Sequence, residues 1–309
     1  MSLIMLLATG ISASPPPPPG TVPTIPATSD TLLASMRPNV APVATILVGP
    51  SRTYHDLWAA VPSGNNLRSA RIAADGVTGT AASHPRYRVT YLLDPGTYTT
   101  PTGDIGLVIN EANVYAVDPT PGSTVIHAGL SQCNNLYWEG VDIIRTVNGL
   151  WDPKYAAHLQ LSGTTIFANC RMENDDPLSG GGGTWAGMDG GDHLHLTFYG
   201  VTGVVGNPAS GTNLHGPTTV PVDLCFINVT DNGGLKWVMN GWQLTNMWVK
   251  DTTTPLIFSP AETLATKPIL HLSGSTVTTN QWDGTIDSDA NWPVPLGGFS
   301  PYWRTQIGL

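Results

Sequence analysis

One short phrase recurs in this chain and restricts what it can fold into. It is an apolar residue, any residue, a second apolar residue, any residue, then Gly or Asn. It stands as Leu136-Tyr137-Trp138-Glu139-Gly140, and again at 159–163 (LQLSG), 224–228 (LCFIN), 242–246 (WQLTN) and 270–274 (LHLSG), with a looser copy at 194–198 (LHLTF). The second apolar position moves from 138 to 161, 196, 226, 244 and 272, in steps of 23, 35, 30, 18 and 28 residues. Apolar residues two apart make a strand with one buried face. Gly and Asn tolerate positive φ and turn the chain into another strand. A strand, a bend and a strand, repeated about every 20–35 residues, is the pattern of a solenoid whose coils bury one another. The expected fold is all-β: a right-handed, single-stranded parallel β-helix with loops of unequal length thrown outward.

Composition agrees with turn-rich β structure. Charged residues make up 11% of the 309, against about 25% in an average domain, while Gly (34) and Pro (27) are abundant. The net charge is −9 with only 13 Lys and Arg and no basic cluster, which disfavours nucleic acid as a partner. Three cysteines (Cys133, Cys170 and Cys225) are far apart and form no CxxC pair, so neither a zinc site nor a disulfide framework is indicated. Cys170 and Cys225 sit in apolar runs and are expected as buried thiols.

Three regions follow: an apolar leader and Pro-rich extended arm at 1–44, the β-helix at 45–280, and a Trp- and Pro-rich cap or subunit contact at 281–309. Residues 1–14 (MSLIMLLATGISAS) are too short an apolar run to span a bilayer, which takes about 20 residues. They suit either a cleaved signal or a peg that docks on a neighbour. Five prolines at 15–19 favour an extended polyproline arm. Residues 30–36 (DTLLASM) suit one helical turn before Pro38. Further on, 45–49 is an apolar strand, Leu57, Trp58 and Val61 share a helical face that Pro62 ends, 63–86 is a polar insertion, and 88–93 is a strand closed by Asp94-Pro95-Gly96.

That run, ILVGPSRTYHDLWAAV followed by VTYLLDPGTYT, resembles the entry segment of pectin-lyase-like β-helices, notably the pectinesterase branch. The resemblance spans roughly residues 45–98, and the repeats extend it to about 280. It implies a capping helix at the amino end of the β-helix. The Glu that usually follows Pro-Gly-x-Tyr in pectinesterases is replaced by Thr99 and Thr100, which departs from that enzyme group. The motifs of polygalacturonases, pectate lyases and pectinesterases are otherwise missing.

The best local constellation for chemistry is Glu173, Asp175, Asp176, Asp189 and Asp192, with His193 and His195 beside it. Two carboxylates about 5–9.5 Å apart serve glycoside hydrolysis, and the same oxygens suit Ca²⁺. Against both, Asp at coil corners commonly satisfies turn backbone. No other cofactor and no transition-metal site is expected. Trp185, in a Gly-rich stretch, with His193 and His195 on one strand face, are the candidates for carbohydrate binding. The apolar start and proline arm look like the amino ends of minor tail proteins of actinobacterial phages. On that likeness the expected function is a tail-associated virion protein. Residues 1–44 would anchor it to other tail proteins, its loops would meet host surface polysaccharide, and it would associate as a homotrimer. A polysaccharide lyase or glycoside hydrolase on the same scaffold, and a secreted adhesin, are the alternatives.

Overall fold

A computed structural model describes residues 23–38, 44–60, 89–99, 109–127, 130–145, 158–162, 164–174, 185–187, 194–202, 212–215, 221–230, 236–240, 243–252, 256–258, 269–275, 277–278 and 285–287. Within them the chain is an all-β parallel solenoid. Sixteen strands join in one sheet and four in a second, and the ladders between them are parallel. The strands fall into three lanes. The first runs through Ala44–Val48, Val89–Leu93, Asn110–Ala116, Leu130–Glu139, Thr164–Ala168, Leu194–Tyr199, Pro221–Ile227, Gln243–Lys250, Ile269–Ser273 and Thr285–Asp287. The second branches from the long strand Leu130–Glu139 through His158–Ser162, Trp185–Gly187, Thr212–His215, Lys236–Asn240, Leu256–Phe258 and Val277–Thr278. The third, the separate sheet, stacks Gly96–Thr99, Thr124–His127, Asp142–Arg145 and Met172–Asn174. A four-residue helix, Leu57–Ala60, follows the opening strand, with Leu57 and Ala60 buried in the core. No helix of the described residues is long and apolar enough to cross a membrane.

The corners between the first and third lanes explain the repeat. Gly140, Asn169, Gly200, Asn228, Asp251 and Gly274 all take positive φ, between 47° and 74°. Each closes a first-lane strand, and the amides stack from coil to coil. Gly140 donates to Ala168 O (3.0 Å), Asn169 to Tyr199 O (2.8 Å), Gly200 to Ile227 O (2.9 Å), Asn228 to Lys250 O (2.8 Å) and Asp251 to Ser273 O (3.0 Å). Left-handed backbone is open to Gly and tolerated by Asn and Asp, which is why only these three residue types occupy the row.

This register corrects the phase of three copies of the repeat. The phrase at 159–163 belongs to the second lane; the corner of that coil is Asn169, after Thr165-Ile166-Phe167-Ala168. In the next coil the corner is Gly200 rather than position 198. Asn246 lies inside a strand, paired with Asp223 and Ile269, and its coil ends at Asp251. The second apolar position therefore runs 138, 167, 198, 226, 249 and 272, in steps of 29, 31, 28, 23 and 23. Leu161 and Leu244 share the large sheet with Phe226 and Leu272 but pair in another column, with Cys133 and Val222.

The inward column is apolar throughout: Trp138, Phe167, Phe198, Phe226 and Val249 are buried. The rings follow the coil spacing. Phe167 stacks on Phe198 at 5.7 Å between centroids, and Phe198 on Phe226 at 5.4 Å with planes 8° apart. Trp138 donates its Nε1–H to Val141 O (2.7 Å), so its one polar atom is satisfied inside the core. Cys170 lies in this core and Cys225 in the one outside the sheet, both as buried free thiols.

The opposite face of the first lane is also covered. Leu92, Tyr115, Tyr137, Ile166, Tyr199, Ile227 and Trp248 form a second buried cluster with Leu33 and Met36 of a short helix, α1 (Thr31–Met36). A strand of a parallel sheet covered on both sides carries apolar residues at successive positions, so the expectation of a single buried face is corrected here. Six residues are too few to hold a helix in water alone. Asp30 caps α1 by accepting from the amides of Leu32 and Leu33 (both 3.0 Å). Tertiary contacts supply the rest.

Replacing Phe198 by Ala is expected to cost about 3–5 kcal/mol, because it opens the aromatic stack between two neighbours. Urea unfolding followed by tryptophan fluorescence measures it; a change near zero would show that the stack is not the core of the stability.

Candidate functional site

The charged groups that the structure describes are mostly engaged in holding its parts together. Glu139 follows Trp138 on the outer face and is 7% exposed. It accepts from Arg37 Nε (2.9 Å) and Nη2 (2.5 Å), and from the Tyr137 hydroxyl (2.7 Å). Arg37 also donates to Pro26 O (2.8 Å), and its guanidinium lies 5.7 Å from the centre of the Tyr115 ring. Burial opposes the Arg37 charge, but the hydrogen bond and charge of Glu139 outweigh it and leave the guanidinium pKa raised. Burial, then the charge of Glu139, push the Tyr137 phenol well above its usual range, so it stays a donor. One turn of chain after α1 is thus bolted to a strand a hundred residues downstream.

Asp30 works at the other end of α1. Besides capping the helix it accepts from the Tyr199 hydroxyl. Burial raises its pKa, while the Tyr199 hydroxyl and the amides of Leu33 and Leu32 lower it further, and the net direction is down. Two other carboxylates fix turns. Asp94 pairs with Arg52 (2.6 Å from Nε and 3.1 Å from Nη2) across the first coil, where Gly49 leaves room for it. Asp142 is 2% exposed and accepts from the amides of Gly122 (3.1 Å) and Arg171 (2.8 Å). Burial raises its pKa and the Arg171 contacts only partly oppose that.

The loop-bearing side is a separate feature. The chain leaves the third lane and its extension at Arg145, Asn174, Thr202, Thr230 and Thr252, and re-enters the second lane at His158, Trp185, Thr212, Lys236 and Leu256. Asn174 pairs with Arg145, and Thr202 bridges both Arg171 and Thr230, so neighbouring coils stack near these exits. The intervening segments shorten from 146–157 to 175–184, 203–211, 231–235 and 253–255.

The sequence-predicted site residues distribute as follows. Glu173 is on a third-lane strand, paired with Ile144. Trp185 opens the strand Trp185–Gly187, flanked by His158 and by the strand Thr212–His215, and is not in a loop. His195 is on the first lane between Thr164 and Asp223, and is 2% exposed, with Leu196 beside it in the inner core as alternation requires. Asp175, Asp176, Asp189, Asp192 and His193 lie outside the described residues. Among the described residues no group of three or more His, Cys, Asp or Glu is placed to hold a metal ion.

Sequence reasoning missed the Arg37–Glu139 pair and the stack of Trp248 on His271, 5.2 Å between ring centres. The signal for the first was a lone Glu in an otherwise apolar strand, which needs a partner if that strand is covered. Arg37→Ala is expected to cost about 3 kcal/mol by leaving Glu139 buried without its countercharge, and adding Glu139→Gln should recover part of the loss. Equal melting of the single and double variants would show that the charge is irrelevant. Asp30 has a folded pKa below its ordinary 3.8, so its contribution is complete above that value and is lost as pH falls through the folded pKa. The protection of the Leu32 and Leu33 amides, taken against their intrinsic exchange at each pH, should fall as the pH drops below about 4, and Asp30→Asn should abolish that slope.

No family model, no curated protein and no solved structure matches the chain.

Proposed function

We propose that this chain is a structural, surface-binding solenoid: a tail-associated protein of a bacteriophage. In this role it is a right-handed, single-stranded parallel β-helix with the helix Leu57–Ala60 as its amino-terminal cap. The residues upstream of α1 attach it to other tail proteins, and the rim of loops meets polysaccharide on the host surface, with three copies associating. The observation that carries the proposal is the stacking of successive coils where the chain leaves the third lane, Arg145 on Asn174 and Arg171 on Thr202 on Thr230, which spaces the starts of the intervening segments along a parallel stack. Parallel ladders on successive coils make the stack stiff along its axis, as a projecting part requires. The described carboxylates support a structural role over a hydrolytic one, since Asp30, Asp94, Glu139 and Asp142 each hold a cap, a turn or the docked helix.

The test separates anchor from body. A chain lacking residues 1–20 should keep the melting temperature of the full protein, because the described capping and docking contacts begin at Pro26, Thr28 and Asp30. It should be missing from assembled particles. Normal incorporation would sink the anchoring role. Release of reducing ends or unsaturated products from host capsule by the intact protein would replace passive binding with a depolymerase. A mature chain beginning after Ala13 or Ser14 would point to a secreted adhesin.

A further inference from the structure

We propose that the opening strand Ala44–Val48 is a docking edge, and that it receives an extended, uncharged peptide segment of a partner protein as an added parallel strand. Later strands of the first lane from Val89–Leu93 to Ile269–Ser273 pair on both sides. Among the described residues Ala44–Val48 pairs only with Val89–Leu93, through five residues in register. On its other side the described residues make one contact: Tyr54 forms a parallel bridge to Val48, and Gly49 N donates to Tyr54 O (2.9 Å). That bridge fixes the direction and register of an added strand. Among the described residues nothing continues it along 44–47.

A hollow of about 400 Å³ lies in that place, between Thr45, Ile46 and Leu47 on one wall and the turn 51–54 on the other. It is within the size range of ligand clefts. Its one charged lining residue, Arg52, spends Nε and Nη2 on Asp94, so the hollow offers no free countercharge and favours a neutral occupant. Protected edges carry Lys, Pro or a bulge. The sequence Ala-Thr-Ile-Leu-Val has none of these.

The burial pattern states what the occupant must bring. Ala44 and Ile46 pack on the inner core but remain only partly buried, and Leu47 does the same at the outer cluster. Both apolar clusters therefore end at this strand unfinished. A strand with apolar residues at successive positions would complete both, as Val89–Leu93 does on the other side, where all five residues are buried. Main-chain pairing supplies affinity and the two apolar rows supply selectivity, the logic of strand addition to an open sheet edge.

The probe is a fluorescein-labelled peptide copying residues 89–93, titrated into the full chain and read by anisotropy. Two further peptides carry N-methyl groups at alternate residues, in complementary patterns. A strand binds an edge through every second amide, so one pattern should weaken binding by at least about tenfold, a difference of about 1.4 kcal/mol, and the other should not. Exchange of amides within 44–47 should slow when the unmethylated peptide is bound. Absence of saturable binding, or equal effects from both patterns, would overturn the proposal. So would self-association of the chain, seen by sedimentation, that the peptide competes away, because the edge would then belong to a second copy.

Discussion

Everything in this protein depends on the corner that each coil repeats. A first-lane strand ends at a residue with left-handed backbone, and its amide is bonded to the carbonyl before the next coil's corner. The bend is sharp enough to point the following residues into a different sheet, and the hydrogen bond sets the vertical step. Once the corners are stacked, side chains two and four residues upstream must stack as well. The aromatic column of Phe167, Phe198 and Phe226 follows from corner geometry and needs no further instruction.

A stack of this kind leaves two problems, one on its outer face and one at its end. The outer face is apolar, with Tyr115, Tyr137, Ile166 and Tyr199 spread over neighbouring coils, and a bare apolar face would associate indiscriminately. The amino-terminal segment answers this by laying α1 across the face, capped by Asp30 and tied down at Arg37. The helix is too short to form alone, and the face is too apolar to stand alone, so each needs the other. The ion pair between Arg37 and Glu139 orients the helix more than it stabilises the fold, since burying two charges recovers little beyond their desolvation. At the end of the stack, no described residue pairs with 44–47 on the side away from Val89–Leu93.

The placement of charge bears on function. Asp30, Asp94, Asp142 and Glu139 sit at a helix cap, at two turns and under the docked helix, each against a specific donor.

The amino-acid sequence by itself determined the stacking of coils, the corners of three of them and the inward residues beside those corners. Alternation of apolar residues and a following Gly or Asn are local properties, and Leu136 to Gly140, Leu224 to Asn228 and Leu270 to Gly274 were legible in full. Buried Cys170 and Cys225 and the turn of helix at 31–36 were legible for the same reason. The phase of the other coils was not. Asp251 also tolerates left-handed backbone, the second lane has an alternation of its own at 159–163, and only pairing with neighbours tells one from another. Nor could local pattern show that the outer face is covered, that Glu139 meets Arg37 across 102 residues, that Trp185 opens a strand, or that His195 is buried. These are facts about which distant segments share a surface, and the free energy that selects them exists only once the coils are stacked.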